Sequence, residues 1–368
     1  MPDLSDLRRR LRPVAALAAG ALLATSIAGP AHADRADDGA TWLESQLNDS
    51  LVHNDQFDFD DYGLTIDFGF GLQAIGGHGV TVRAIRDEMA EHVASYTAGV
   101  DFGQPELVFA GSLAKLASYV QASGADPRAY GGADLVKRLN RRVLTTNPVK
   151  GRVRDRGDDD FTNTIGQSFA ARALARAGSP RAGATIRYLL RQQCEAGFFR
   201  LTFAKENAEK QSCDAARASK RTPDTDATAL AVLSLRALPR THRTKNVRAA
   251  IGDATAWLLK RQKANGSFGG GTSTEGSNAN STGLAAWALG QTGSCRPAAR
   301  AARWVRDLQV VDAAGTPLEG EDGAIAYNSS GYEDGATDGI DVDEQDQWRR
   351  ATAQAAPGLS YLRVADCS

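Results

Sequence analysis

Large apolar residues recur at three- and four-residue spacing in a series of segments, often with the pair Trp-Leu followed by Gln. That spacing places the apolar side chains on one face of a helix. The segments therefore predict amphipathic helices with one buried face. They span residues 40–47, 186–193, 255–262 and 302–309.

A second kind of segment alternates with the first and is rich in Ala, Gly and Leu. It opens with Asp, Asn, Ser or Thr, which suit a helix N-cap, and a trailing Gly suits the helix end. Because these segments carry few charges, we predict helices that are buried on most sides. They span residues 65–76, 162–178, 225–238 and 280–293.

Three less regular segments extend the alternation. Residues 80–96 and 107–121 form another pair, and residues 134–144 supply one more outer helix. A last apolar helix is predicted over 348–356, ended by Pro357 because proline breaks the hydrogen-bond ladder. Six hairpins result, and an inner ring of apolar helices within an outer ring of amphipathic ones buries every apolar face. The predicted fold class is therefore all-α, a closed α/α toroid, with an open helical solenoid as the alternative.

The N-terminal segment has the parts of a signal peptide. Residues 8–12 are rich in arginine, and residues 14–28 are apolar but too short for a comfortable membrane span. A small-x-small sequence, AHA, follows. We predict a signal peptide over 1–33, cleaved after Ala33, and a toroid over 34–368; an ordinary N-terminal helix is the alternative.

The charge and composition of the chain limit which classes of partner it can bind. The formal net charge of −1 gives no general attraction to nucleic acid or to anionic membranes. A hydrophobic content of 42% is typical of a soluble globular protein. We expect an exported protein, secreted or at the cell envelope, with no nucleic-acid partner and no transmembrane segment.

Long connections precede the apolar helices, whereas short turns follow them. All the long connections then meet at one end of the toroid, the long-loop face. Loops over one face of a rigid scaffold are a preferred binding surface, and helix N-termini there favour anionic or polar groups. The face consists of residues 48–64, 145–161, 194–223, 264–278 and 310–347.

The long-loop face is the predicted ligand site. Its aromatic residues suit an apolar or sugar-like ligand or a protein partner; the alternative is that they pack small cores within the loops. No metal ligand is assigned among the residues of this ligand site. The predicted ligand-binding residues are Asp67, Asn163 and Asn280 from the helix starts and Tyr62, Phe161, Phe268, Tyr327 and Trp348 from the loops.

Four cysteines in an exported chain favour two disulfides over free thiols. Cys194 and Cys213 both lie at the long-loop face. Cys295 and Cys367 each follow an apolar helix and lie at the opposite end. We therefore predict the pairs Cys194–Cys213 and Cys295–Cys367.

Residues 257–290 combine Trp-Leu-x-x-x-Gln, a Gly-Ser-Phe-Gly turn and a small-residue helix. This run resembles the prenyltransferase and squalene oxidase repeat of the terpenoid cyclase and protein prenyltransferase superfamily. The resemblance covers most of residues 34–368 and is sharpest in this repeat. It implies the α/α toroid, and fold alone does not give function.

Residues 222–235, TPDTDATALAVLSL, resemble the Asp-x-Asp-Asp-Thr-Ala acid motif of class II terpene cyclases. The resemblance implies that Asp226 is a general acid with Asp224 beside it. Ala227 departs from the motif because it stands where a third aspartate belongs. The alternative is that these aspartates only cap a helix. A second match, DFDD at 58–61, is interpreted as a solvated loop or a weak cation site.

The other chemistries of this superfamily find little support. The histidines and cysteines do not suggest a prenyltransferase zinc site, and no Gly-Cys-Gly-Glu-Gln thioester sequence occurs. No cofactor is expected. The acidic residues of 319–346 are a candidate Ca²⁺ site, and a solvated acidic loop is the alternative.

Two functions therefore stand side by side. The first is a non-catalytic module that binds a ligand or a partner at the cell envelope. The alternative is a terpene cyclase-like enzyme that uses Asp226 as its acid. Whether the protein is an enzyme is left open, with the binding module preferred.

Overall fold

The computed structural model describes residues 35–366, apart from residues 216, 218 and 220. Helices dominate this part of the chain, as the periodicity predicts. The helices are α1 (Arg35–Ser45), α2 (Tyr62–Ile75), α3 (Gly79–Glu88), α4 (Val93–Thr97), α5 (Ala110–Ala122), α6 (Leu135–Asn140), α7 (Thr164–Arg176), α8 (Ala182–Leu190), α9 (Thr225–Arg236), α10 (Lys245–Arg261), α11 (Ala279–Gln291), α12 (Cys295–Arg306), α13 (Ser329–Asp338) and α14 (Val342–Leu359).

Two short antiparallel hairpins lie in the connections before α2 and α5. Strand β1 (His53–Asn54) pairs with β2 (Phe59–Asp60), and β3 (Ala98–Gly99) pairs with β4 (Gln104–Val108). Neither hairpin extends into a larger sheet within the described residues. The all-α prediction is therefore confirmed, with two small strand pairs that the sequence pattern did not reveal.

Six helices form a closed inner ring. Helices α2, α5, α7, α9, α11 and α14 each pack against the next, and α14 packs back against α2. Small residues set the spacing of the ring: a Cβ atom on Gly283 of α11 would lie 2.2 Å from Cα of Ala355 in α14. Likewise, a Cβ on Gly166 of α7 would lie 3.0 Å from Cα of Gly111 in α5. The Gly- and Ala-rich composition of these helices is thus what allows the ring to close.

The amphipathic helices form the outer ring. Helices α1, α3, α6, α8, α10 and α12 pack against the outside of the inner helices, and most of them contact two neighbouring inner helices. Their apolar faces point inward, as in α1, where Trp42 and Leu43 are buried. The predicted α/α toroid is confirmed.

Four inner helices begin at a polar residue whose side chain caps the helix, which is the type of helix start that the sequence predicts. Asn163 caps α7 by accepting hydrogen bonds from two backbone amides, 3.0 and 3.1 Å away. The Asp224 carboxylate caps α9 by accepting from the amide of Ala227 at 2.8 Å. The other two caps are Asp61 for α2 and Asn278 for α11.

Two predicted caps are wrong. Asp67 lies in the second turn of α2, because that helix begins at Tyr62, inside the segment interpreted as a loop. Asp61 of the DFDD stretch is the cap instead. Asn280 is the second residue of α11, two positions after its cap, just as Asp226 is the second residue of α9.

The last inner helix is longer than predicted. Helix α14 begins at Val342 and ends at Leu359, with Pro357 inside its last turn. Proline removes one hydrogen-bond donor there, which the helix tolerates so close to its end. The acidic segment before it is also not a plain loop, since it contains α13.

One predicted disulfide is confirmed. Cys194 and Cys213 are bonded, with their Cα atoms 4.9 Å apart. The second predicted pair ends at Cys367, which lies outside the described residues, as does the predicted signal peptide. None of the described helices combines the length and apolar character needed to cross a bilayer.

Candidate functional site

The inner ring lines a cavity of about 230 Å³ on its axis, called here the axial cavity, and most of the side chains in its wall are partly exposed. Every one of the six inner helices contributes to its wall. Most of the wall is apolar, because the inner helices direct several large apolar side chains toward the axis. The apolar lining consists of Phe70, Ile165, Phe169, Leu230, Leu284 and Trp287.

Three charged side chains also line the axial cavity: Asp67, Lys115 and Arg172. Two of them neutralise each other, because Nζ of Lys115 lies 2.7 Å from the Asp67 carboxylate. Burial alone lowers the pKa of Lys115, but Asp67 and Tyr96 outweigh that effect and raise it. Lys115 is therefore a cation fixed by its partner.

Arg172 is different because no carboxylate pairs with it among the described residues. Its guanidinium lies over the ring of Phe70, 5.5 Å from the centroid, and its Nε is buried without a hydrogen-bond partner. Phe70 is itself held by stacking on Phe169 at 5.6 Å. Burial, together with the neighbouring Arg176, lowers the pKa of Arg172 to about 10, so it still carries its charge at neutral pH.

A second, polar cavity of about 630 Å³ opens at the start of α9, called here the mouth cleft. One wall is the connection before α9, and the other is the glycine-rich segment before α11. Residues from these two connections and from α9 line it. They are Arg200, Leu201, Thr202, Ser219, Thr222, Asp224, Asp226, Gly271, Thr272, Ser273 and Thr274.

The wall before α9 is held rigidly. Arg200 is buried and donates to Oε1 of Gln192 at 2.7 Å and to the carbonyl of Gln211 at 2.8 Å. The Cys194–Cys213 disulfide links two points within the same connection between α8 and α9. The mouth cleft is therefore bounded on this side by fixed backbone.

Both candidate acid residues border the mouth cleft. Asp224 is occupied as the helix cap, and burial raises its pKa although backbone hydrogen bonds oppose the shift. Asp226 has one carboxylate oxygen, Oδ1, that is buried without a hydrogen-bond partner. Burial raises the pKa of Asp226 to about 6; the Ser281 hydroxyl opposes this shift, and the charge of Asp224 adds to it.

The glycine-rich segment closes on these carboxylates. A Cβ atom on Gly270 would lie 3.1 Å from Oδ2 of Asp226, and one on Gly271 would lie 2.6 Å from Oδ2 of Asp224. A side chain at Gly271 would collide with the Asp224 carboxylate, and one at Gly270 would collide with Oγ1 of Thr274 and crowd Asp226. The Gly-Gly-Gly sequence thus explains how Asp226 is desolvated although it stands at the edge of a cleft.

Asp226 does not line the axial cavity. The wall of that cavity includes Leu230, which is one helical turn further along the same face of α9. On the neighbouring helix, the Asn280 amide donates to Oε1 of Gln354 at 3.0 Å, and Gln354 does line the axial cavity. The axial cavity and the mouth cleft are thus separate spaces that lie about one helical turn apart along α9.

The predicted ligand residues are dispersed rather than gathered. Phe268 and Trp348 are core residues, 0% and 2% exposed, which corrects their assignment to a binding surface. Phe161 is 72% exposed, and Tyr62 stacks on His92 at 4.8 Å. Of the predicted aromatics, Tyr327 is the one whose pKa responds to Asp226, after the larger effect of its own burial.

Sequence reasoning found Asp67 and Asp226 but missed Lys115, Arg172 and Trp287. A signal for the two cations existed: each is a charged residue inside a segment that is otherwise small and apolar. No group of three or more potential metal ligands occurs among the described residues. The suggested Ca²⁺ site in 319–346 stays a prediction.

No family model matches the chain, and no curated protein matches it. Solved structures do resemble it. A protein from Actinoplanes is 17% identical over 90% of this chain and 99% of its own, with a TM-score of 0.60. The type II terpene cyclase MstE from Scytonema is 13% identical over 89% of this chain and 96% of its own, with a TM-score of 0.58.

A glycosidase is similar as well, at 12% identity over 90% of this chain and 96% of its own, with a TM-score of 0.53. At these identities the likeness is one of fold. The chain therefore has the α/α toroid that terpene cyclases and some glycosidases share, and the fold by itself does not choose between their activities.

Proposed function

We propose that the protein is an exported small-molecule-binding toroid whose axial cavity holds a compact, mostly apolar ligand. One observation carries the proposal: side chains from all six inner helices surround a space that they do not fill. A protein interior is normally packed as densely as an organic crystal, so an open axis is a departure that needs a reason. A bound molecule is such a reason.

The dimensions limit the ligand. The axial cavity has a volume of about 230 Å³. An apolar cavity of about 150 Å³ is known to hold benzene, so this one suits a molecule of roughly ten non-hydrogen atoms. The ring walls supply burial of apolar surface, which is the main source of affinity in such a site.

Export is part of the proposal. The Cys194–Cys213 disulfide is the kind of bond that persists in an oxidising compartment outside the cytoplasm. The predicted signal peptide over residues 1–33 agrees with it. N-terminal sequencing of the protein secreted by its host tests this part directly, and a chain that keeps residues before Ala33 and stays in the cytoplasm refutes it.

Calorimetry with octan-1-ol tests the axial cavity. We expect saturable binding by the native protein and its loss in Ala353→Leu, because Ala353 lines the cavity and the larger side chain occupies it. Ala249→Leu on the exposed face of α10 is the matched control and should bind as the native protein does. Absence of binding, or binding that survives Ala353→Leu, refutes the proposal.

A second function is favoured by Asp226. A buried carboxyl with a pKa of about 6 and an unpartnered oxygen keeps its proton in mildly acidic solution, where an ordinary aspartate has lost it, as a proton donor requires. This supports the terpene cyclase-like alternative, in which Asp226 protonates an alkene or an epoxide. Two observations weaken it: Ala227 interrupts the acid motif, and the axial cavity does not include Asp226 in its wall.

Incubation with squalene or geranylgeranyl diphosphate, followed by mass spectrometry, tests the alternative. The enzyme hypothesis predicts a cyclised product that Asp226→Asn abolishes. If no product forms, or if the product is unchanged in Asp226→Asn, the acid role is refuted. The binding function stands or falls separately, since it is measured with octan-1-ol.

A further inference from the structure

We propose that the ligand of the axial cavity carries a single carboxylate, which Arg172 binds. The inference rests on the binding function proposed above and narrows its ligand class to short-chain or monocyclic carboxylic acids. Arg172 is assigned as the recognition residue, with Phe70 as the platform that orients its guanidinium.

The charge balance of the cavity wall is the first argument. Asp67 and Lys115 neutralise each other at 2.7 Å, and Lys115 is further held by donating to the carbonyl of Gly63 at 2.9 Å. Arg172 has no such partner among the described residues, so the wall carries one uncompensated positive charge. An anionic group on the ligand would compensate it.

Part of the Arg172 guanidinium is also desolvated. A guanidinium that loses water without gaining a hydrogen bond is costly, and buried charges in proteins are therefore normally paired. The Nε atom of Arg172 is buried with no acceptor, and the ring of Phe70 replaces only part of the lost hydration. A ligand carboxylate would give this Nε atom an acceptor.

The geometry of the guanidinium favours a carboxylate. Arginine presents parallel N–H donors that match the two oxygens of a carboxylate, which gives a bidentate pair. A diphosphate would need several cations, and the other cation of the wall, Lys115, is already bound to Asp67. The small volume likewise leaves room for one anionic group and a short apolar body.

Octanoate and octan-1-ol test the inference, because they share an apolar chain and differ in charge. We expect the native protein to bind octanoate at least tenfold more tightly than octan-1-ol. Arg172→Gln should abolish this preference and leave octan-1-ol binding intact. Arg176→Gln, one turn further along α7 and exposed, removes the same charge from the surface and should keep the preference.

Arg172→Lys guards against a folding defect in the glutamine variant, since it keeps the charge while losing the fork of donors. It should retain part of the preference for octanoate. Equal binding of the two ligands by the native protein overturns this inference and leaves the binding function in place, as does a preference that survives Arg172→Gln. If neither ligand binds the native protein, the proposed binding function itself is refuted.

Discussion

Replacing Asp226 with asparagine should change stability in a pH-dependent way. The ordinary pKa of an aspartate is 3.8, and the folded protein raises that of Asp226 to about 6. Between these values the folded state holds a proton that the unfolded state has lost. Folding stability therefore falls as the pH rises through this window, by about 1.4 kcal/mol for each pH unit.

The total follows from the two pKa values. Ionisation of Asp226 lowers the free energy of unfolding by about 3 kcal/mol in total, and this loss is complete once the pH is above about 6. Asparagine has almost the same shape and no charge to desolvate. Asp226→Asn should thus match the native protein near pH 4 and be more stable by up to about 3 kcal/mol near pH 7.

Urea unfolding followed by circular dichroism, repeated from about pH 4 to about pH 7, measures this difference. Asp224→Asn is the control: asparagine is an equally good N-cap, and the pKa of Asp224 is raised less because backbone hydrogen bonds oppose burial, so this variant should show the smaller pH dependence. Parallel stability curves for the native protein and Asp226→Asn, or a loss of stability at every pH, would refute the reasoning.

Three further changes test the fold by thermal or urea unfolding. Asn163→Ala should cost about 1 kcal/mol, because two amides at the start of α7 lose their acceptor. Gly283→Ala should cost about 1 to 3 kcal/mol since its methyl group collides with α14, whereas Gly252→Ala on α10 meets nothing and should be neutral or slightly stabilising. Replacing both Cys194 and Cys213 with serine should cost about 3 kcal/mol; an unchanged midpoint in any destabilising variant contradicts its argument.

The ring could be predicted from sequence because its requirements are local. An amphipathic face or a run of small residues is visible in one segment, and the alternation of the two kinds leaves few ways to bury every apolar surface. The predicted helix boundaries are less accurate than the predicted ring. The sequence predicts caps at Asp67 and Asn280 because a polar residue near an apolar run satisfies the same rule whether it stands before the helix or inside its first turns.

The axial cavity could not be predicted, because its size depends on the radius of the whole ring. That radius is set by contacts between distant segments, such as Gly283 against Ala355 and Gly111 against Gly166. The roles of Lys115 and Arg172 depend on the same geometry. Both are charges in small-residue helices, yet only the fold shows that Asp67 reaches one of them and leaves the other unpaired.

The unpartnered polar groups of the interior bear on whether the toroid is only a scaffold. Among the described residues, buried side-chain atoms without hydrogen-bond partners occur both on the inner helices and outside them; those on inner helices belong to Gln121, Arg172, Asp226, Asn280 and Ser281. Each such group costs stability, and native proteins keep few of them. A scaffold that merely displays loops has no use for this cost at its centre, whereas a ligand-binding interior does. Arg172 borders the axial cavity and Asp226 borders the mouth cleft. Substitution of Arg172 therefore tests anion binding separately from proton donation, which substitution of Asp226 tests.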